Sequence, residues 1–235
     1  MPRLRHKEII MKIRELLLYT KNLAAEKDFY KNTLGFEIYQ DMQNSFSVNI
    51  GASKLKFQES KKQYLYHYCF LIPRNKLQTA IKWLQERLEP IEIEEARVSQ
   101  FFSSWNAESV YFYDASGNIA EFIVRYDLAN DSDTEFGIES IININEIGLA
   151  SSKPEDLNQQ LEQEIGSKFW KGDKKRFGTN GSQEGLFLLP NYELKEIWFP
   201  TTVKITASPF EVVIEHEAKQ YLLVYQNSEL KISVI

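Results

Sequence analysis

The sequence has little cysteine, little histidine and no surplus of positive charge. A single cysteine, Cys69, among 235 residues excludes an intrachain disulfide framework and any zinc site built on several thiolates. It suits a reducing compartment, and a cytoplasmic location is expected. The three histidines, His6, His67 and His216, lie so far apart that a site of three imidazoles would need all of them. Lysine and arginine total 28 against 33 acidic residues, a formal charge of -5. With no basic excess to neutralise a phosphate backbone, nucleic acid is not an expected partner. The longest apolar run, around Leu65–Pro73, falls far below the ~20 residues that span a bilayer. The basic opening MPRLRHK leads into charged residues (Glu8, Lys12, Arg14) rather than an apolar stretch, so neither a signal peptide nor a membrane partner is expected. At 43% hydrophobic and 26% charged the composition is that of a globular protein, which excludes a disordered chain.

Periodicity reveals a repeated unit. Ile13–Thr20 alternates as a strand, with Glu15, Leu17 and Tyr19 on one face. Asn22 precedes a helical stretch, Leu23–Thr33, that ends before Gly35. Short strands are predicted near Glu37–Tyr39, Ser45–Asn49 and Lys54–Gln58, completing a β-α-β-β-β unit. A second unit opens with Leu65–Ile72. Leu77, Ile81, Leu84 and Leu88 then share one helix face before Pro90. Strands are predicted at Ile91–Ala96, Val110–Tyr113 and Ile119–Arg125, and the acidic, aperiodic stretch that follows reads as a linker.

A third unit follows the linker. Glu15 and Glu146, Gly35 and Gly166, Tyr39 and Trp170, Phe46 and Phe177, and Leu55 and Leu186 are each separated by 131 residues. Five ungapped matches in structural order mark an internal duplication. Its helix is predicted near Glu155–Ile165, with Pro154 in the first turn and Leu157, Leu161 and Ile165 on one face. After Leu189 the repeat decays. Three strand-like runs (Phe210–His216, Tyr221–Tyr225, Leu230–Val234) close the chain without a helix. The expected fold is α+β, with a two-module domain at 13–126, a linker at 127–137, and a third module plus a helix-less fourth-module remnant at 138–235.

Three stretches then carry a resemblance. FYKNTLGFEIY (29–39), YHYCFLIP (66–73) and VYFYDASGNIAEFI (110–123) resemble, in order, the helix end, the second opening strand and the closing hairpin of the vicinal oxygen chelate superfamily. That superfamily includes glyoxalase I, bleomycin-resistance proteins and extradiol dioxygenases. The resemblance covers residues 11–126 and, more weakly, 141–190. It implies repeated β-α-β-β-β modules forming a curved, cup-like mixed sheet, with a divalent metal on the concave face. Carried over by position, the metal ligands fall on Glu15, His67 and Glu121, and Lys56 stands where glyoxalase I has a further carboxylate. Two carboxylates and one imidazole suit Mn²⁺, Fe²⁺, Ni²⁺ or Zn²⁺. A metal with open positions polarises a chelated substrate, and Glu121 is the expected catalytic carboxylate. Cys69, Trp105 and Tyr111 are the expected substrate-binding residues. With no basic neighbour in sequence, Cys69 reads as a small buried side chain rather than a nucleophile.

Two functions stay open at this point. One is a metal-dependent lyase, isomerase or transferase acting on a small oxygen-chelating metabolite. The other is a metal-free binding protein of bleomycin-resistance type, in which Lys56 pairs with Glu15 or Glu121 inside a buried ionic network. Glu146, the duplicate of Glu15, is expected to hold no metal, because Phe187 takes the last-strand place in that unit. His216 and the Trp198-Phe199-Pro200 segment receive no role.

Overall fold

The first strand shows how this chain builds its sheets. In β1 (Met11–Thr20), Leu16, Leu18 and Thr20 are buried while Glu15, Leu17 and Tyr19 face outward, as alternation requires. Met11 and Ile13 are buried as well, because a bulge at Arg14 shifts the phase by one residue. The computed structural model describes residues 10–235, and His6 lies outside them.

The first module continues with α1 (Leu23–Asp28), which runs on as a wider π-helical segment over Phe29–Thr33, then β2 (Ile38–Met42), β3 (Ser45–Ile50) and β4 (Ser53–Glu59). The second comprises β5 (His67–Leu71), α2 (Leu77–Gln85), β6 (Ser99–Phe102), β7 (Ala107–Tyr113) and β8 (Ile119–Arg125). The third comprises β9 (Asn143–Gly148), α3 (Pro154–Glu164), β10 (Phe169–Asp173), β11 (Phe177–Ser182) and β12 (Gly185–Pro190). Three strands end the chain: β13 (Phe210–His216), β14 (Lys219–Gln226) and β15 (Glu229–Val234). The expected strand at Ile91–Ala96 is absent. Ala96 has a positive φ of 59°, which turns the chain there, and the edge strand forms instead at Ser99–Phe102.

The duplication is visible in strand order. The first module runs β1-β4-β3-β2 across its sheet and the third runs β9-β12-β11-β10. Gly35 and Gly166, both at φ 85°, end the equivalent helices in the left-handed conformation that glycine adopts without strain.

Module pairing differs from the expectation. Modules one and two do not share a sheet. The first module joins the terminal strands in a seven-stranded sheet, β15-β14-β13-β1-β4-β3-β2. The second joins the third in an eight-stranded sheet, β10-β11-β12-β9-β5-β8-β7-β6. One apolar core, including Leu16, Phe57, Phe70, Phe122, Ile147 and Phe187, draws on both sheets. Among the described residues no helix is long and apolar enough to cross a membrane.

Candidate metal centre

Three acid–base side chains converge on the second sheet. His67 opens β5, Glu121 lies within β8 and Glu146 within β9, and β5 runs between the other two. Cys69 is opposite Glu121 across the parallel pair and opposite Glu146 across the antiparallel pair, which brings the two glutamates to one level of the sheet. One donor atom from each of His67, Glu121 and Glu146 lies within 4.8 Å of the other two, and all three residues are buried. His67 Nε2 is 3.0 Å from Glu121 Oε2, and His67 Nδ1 is buried without a partner.

Glu146 reaches this cluster because β9 is irregular. Its register against β5 slips between Ile144 and Glu146, leaving Asn145 as a bulge. Strict alternation would send Asn145 and Glu146 to opposite faces; instead both meet Arg125. The Arg125 Nε donates to Asn145 Oδ1 at 2.9 Å, and Nη2 donates to Glu146 Oε1. Arg125 follows Glu121 by four positions on β8, which places it on the same face, and it is fully buried. The rings of Trp105 and Trp170 flank its guanidinium at 5.9 and 5.3 Å. Burial pushes the Glu146 carboxyl up to about 8; Arg125 opposes that rise and the charge of Glu121 adds to it.

Aromatic rings enclose the space above the cluster. A cavity of about 270 Å³ is walled by Phe102, Trp105, Tyr111, Phe177, Trp198 and Phe199. Trp198 stacks on His67 with ring centroids 4.9 Å apart and planes 18° from parallel. Phe199 meets Tyr111 edge-on at 5.9 Å. Both belong to the connection between β12 and β13, where Trp198 N donates to Val203 O and Thr201 N donates to Trp198 O. Gly148 leaves room for this roof: a Cβ there would lie 2.7 Å from the Trp198 ring.

No family model and no curated protein matches the chain. Solved structures do. A protein described as a "putative dioxygenase" from Bacillus subtilis subsp. subtilis str. 168 is similar over 96% of this chain and 85% of its own, at 13% identity and a TM-score of 0.56. A glyoxalase/bleomycin resistance protein/dioxygenase from Nocardioides is similar over 54% of this chain and 89% of its own, at 18% identity and a TM-score of 0.40. A lactoylglutathione lyase from Agrobacterium tumefaciens covers 48% of this chain and 92% of its own, at 18% identity and a TM-score of 0.38. The Bacillus likeness spans nearly the whole chain and, with the repeated module, decides the fold. The chain has the vicinal oxygen chelate fold.

Of the ligands that the resemblance to the vicinal oxygen chelate superfamily implied, His67 and Glu121 come together and Glu15 does not. Glu15 lies in the other sheet, its side chain 53% exposed and 2.9 Å from Lys54. The place expected for it is taken by Glu146, so the third unit contributes to the cluster, contrary to the sequence expectation. Phe187 is no obstacle, because it packs into the core. Lys56 also belongs to the first sheet, opposite Leu17 and Ser47, and the cation beside the cluster is Arg125. Trp105 and Tyr111 line the cavity. Cys69 instead packs with Leu71, Ala107 and Ile123, and burial pushes its thiol well above the usual range. The signal for Glu146 lay in the 131-residue repeat and that for Arg125 in its period-two spacing from Glu121. Nothing local marked Trp198.

The donor set fits a divalent ion. Two carboxylates and an imidazole offer a summed charge near -2, and the partnerless His67 nitrogen marks a place where the structure leaves a ligand atom free.

Proposed function

We propose that this protein is a divalent-metal-dependent enzyme of the lyase, isomerase or transferase type, acting on a small metabolite with adjacent oxygens. The convergence of His67, Glu121 and Glu146 donor atoms within 4.8 Å at an aromatic-walled cavity carries this reading. These three residues would hold an ion such as Mn²⁺, Fe²⁺, Ni²⁺ or Zn²⁺, which when bound supplies Lewis-acid polarisation of a substrate oxygen.

The chain's own residues supply the rest. Trp198 and Phe199 cover the cluster and exclude water, which strengthens every charge interaction beneath them. Trp105 and Tyr111 orient the substrate by flat apolar contact. Burial holds the Tyr111 phenol well above its usual range, so it stays protonated and serves as a donor. Glu121, with its Oε2 held 3.0 Å from His67 Nε2, is the carboxylate placed at the cavity to take and return a proton. A cavity of about 270 Å³ lies just under the ~300–1,000 Å³ usual for ligand pockets and selects a small metabolite.

Elemental analysis of protein purified with Mn²⁺, Fe²⁺, Ni²⁺ or Zn²⁺ in turn tests this directly. About one ion per chain, lost in Glu121→Ala, is the expected result. A chain that retains none of the four, with a melting curve insensitive to each, would leave the metal-free binding protein instead.

A further inference from the structure

Among the described residues, Arg125 is the largest side chain that the fold buries completely. Its guanidinium meets one carboxylate, Glu146, and one neutral amide, Asn145, and the remaining nitrogen, Nη1, is buried without a partner. Trp105 and Trp170 close over it. It does not line the cavity, so no bulk water screens it. The charge of this cation is therefore felt almost wholly by Glu146 and by whatever Glu146 binds. Partners of metal-binding carboxylates usually orient their ligand and raise affinity. Here the partner carries a full positive charge in a dry setting, directly against one of the two carboxylates.

We propose that Arg125 is a built-in cation that shares Glu146 with the metal, holding the cluster in shape without an ion and keeping its affinity for one low. This rests on the metal-binding reading above. Arg125 reaches from β8 to two consecutive side chains of β9, Asn145 and Glu146, and so pins the third member of the cluster against the other two. That contact holds the cluster assembled in the metal-free protein. An incoming ion meets a carboxylate already half neutralised and a fixed charge that repels it.

The test is Mn²⁺ titration, followed by the electron paramagnetic resonance of the free ion, on wild type, Arg125→Gln and Arg125→Lys. Arg125→Gln keeps a hydrogen-bond donor and loses the charge, so it should bind Mn²⁺ roughly ten- to a hundredfold more tightly, the range over which outer partners tune metal sites. Arg125→Lys keeps the charge and should stay near wild type. Wild-type binding that is unchanged or weakened in Arg125→Gln would overturn the proposal and leave the metal site standing. Binding by none of the three proteins would bring down the metal site and this proposal with it. If Arg125→Gln folds only when Mn²⁺ is present, the ion has replaced the lost cation, which supports the proposal. If it folds under neither condition, Asn145→Asp gives Arg125 a second counter-charge in place of the amide oxygen it already meets at 2.9 Å. That variant should also bind Mn²⁺ more tightly than wild type, and weaker binding would overturn the proposal.

Discussion

Glu15 and Glu146 hold the same position in two copies of one module, each just after a bulge, yet Glu15 lies half in water against Lys54 and Glu146 is sealed against Arg125. The difference follows from what covers each sheet. The aromatic connection between β12 and β13 lies over Glu146, whereas the face around Glu15 carries solvated ion pairs such as Arg14–Glu215. His67→Ala, Glu121→Ala and Glu146→Ala should therefore each abolish Mn²⁺ binding, while Glu15→Ala and Lys56→Ala leave it intact. Glu15→Ala removes an exposed ion pair with Lys54 and should alter stability by no more than about 1 kcal/mol. Titration calorimetry and thermal melts would check both; a loss of Mn²⁺ binding in Glu15→Ala would contradict the assignment.

Gly148 and Trp198 form the second test. An added methyl at position 148 would lie 2.7 Å from the indole, so Gly148→Ala must push Trp198 off His67. The expected cost is about 1–3 kcal/mol of overpacking, with more acrylamide quenching of tryptophan fluorescence. Trp198→Ala opens the same roof without the clash. Both variants should lose turnover, and a Gly148→Ala protein with unaltered quenching would show that the roof has not moved.

The buried acid at Glu26 makes stability depend on pH. Burial first, then the charge of Asp114, pushes Glu26 up to about 9. In the unfolded chain the same group titrates near 4.5. The folded state thus holds the extra proton between those values. Its stabilising effect is complete below about 4.5 and is lost as pH rises through about 9. Glu26→Gln should be more stable than wild type at pH 8, by roughly 1–3 kcal/mol, with the gap closing at pH 4. Urea melts at the two pH values measure it; an equal gap at both would refute this account.

Gly51 marks where the first module meets the start of the third. At φ 54°, a Cβ on it would lie 2.2 Å from the Ile142 carbonyl oxygen, which accepts from Ala52 N at 2.8 Å. Nearby, Ser53 Oγ donates to Ile13 O and accepts from Ile144 N, so β1, β4 and β9 are tied at one point. Gly51→Ala combines left-handed strain with a backbone clash and should cost about 3 kcal/mol or more. A denaturant midpoint close to wild type would rule this out.

The modules were legible in the sequence because they rest on local physics. Alternation marks strands such as β1 and β8, the i, i+4, i+7 stripe marks α2, and Gly35 and Gly166 stop their helices for the same conformational reason. His67 and Glu121 could be picked out because each lies in a strand whose motif carries the resemblance. Which modules pair is a different matter. The antiparallel contacts of β1 with β13 and of β5 with β9 join segments far apart in sequence, and they are selected by how whole apolar faces pack, which no local window records. That choice put Glu146 beside His67 and Glu121 and left Glu15 in water. The bulge at Asn145 then turned two consecutive side chains toward Arg125, against the period-two rule on which strand reading depends. Local pattern marked out the repeated module and two members of the cluster. The third member, the buried cation behind it and the tryptophan that covers it were fixed by the assembled fold, because each depends on contacts between strands and loops that meet only once the sheets have formed.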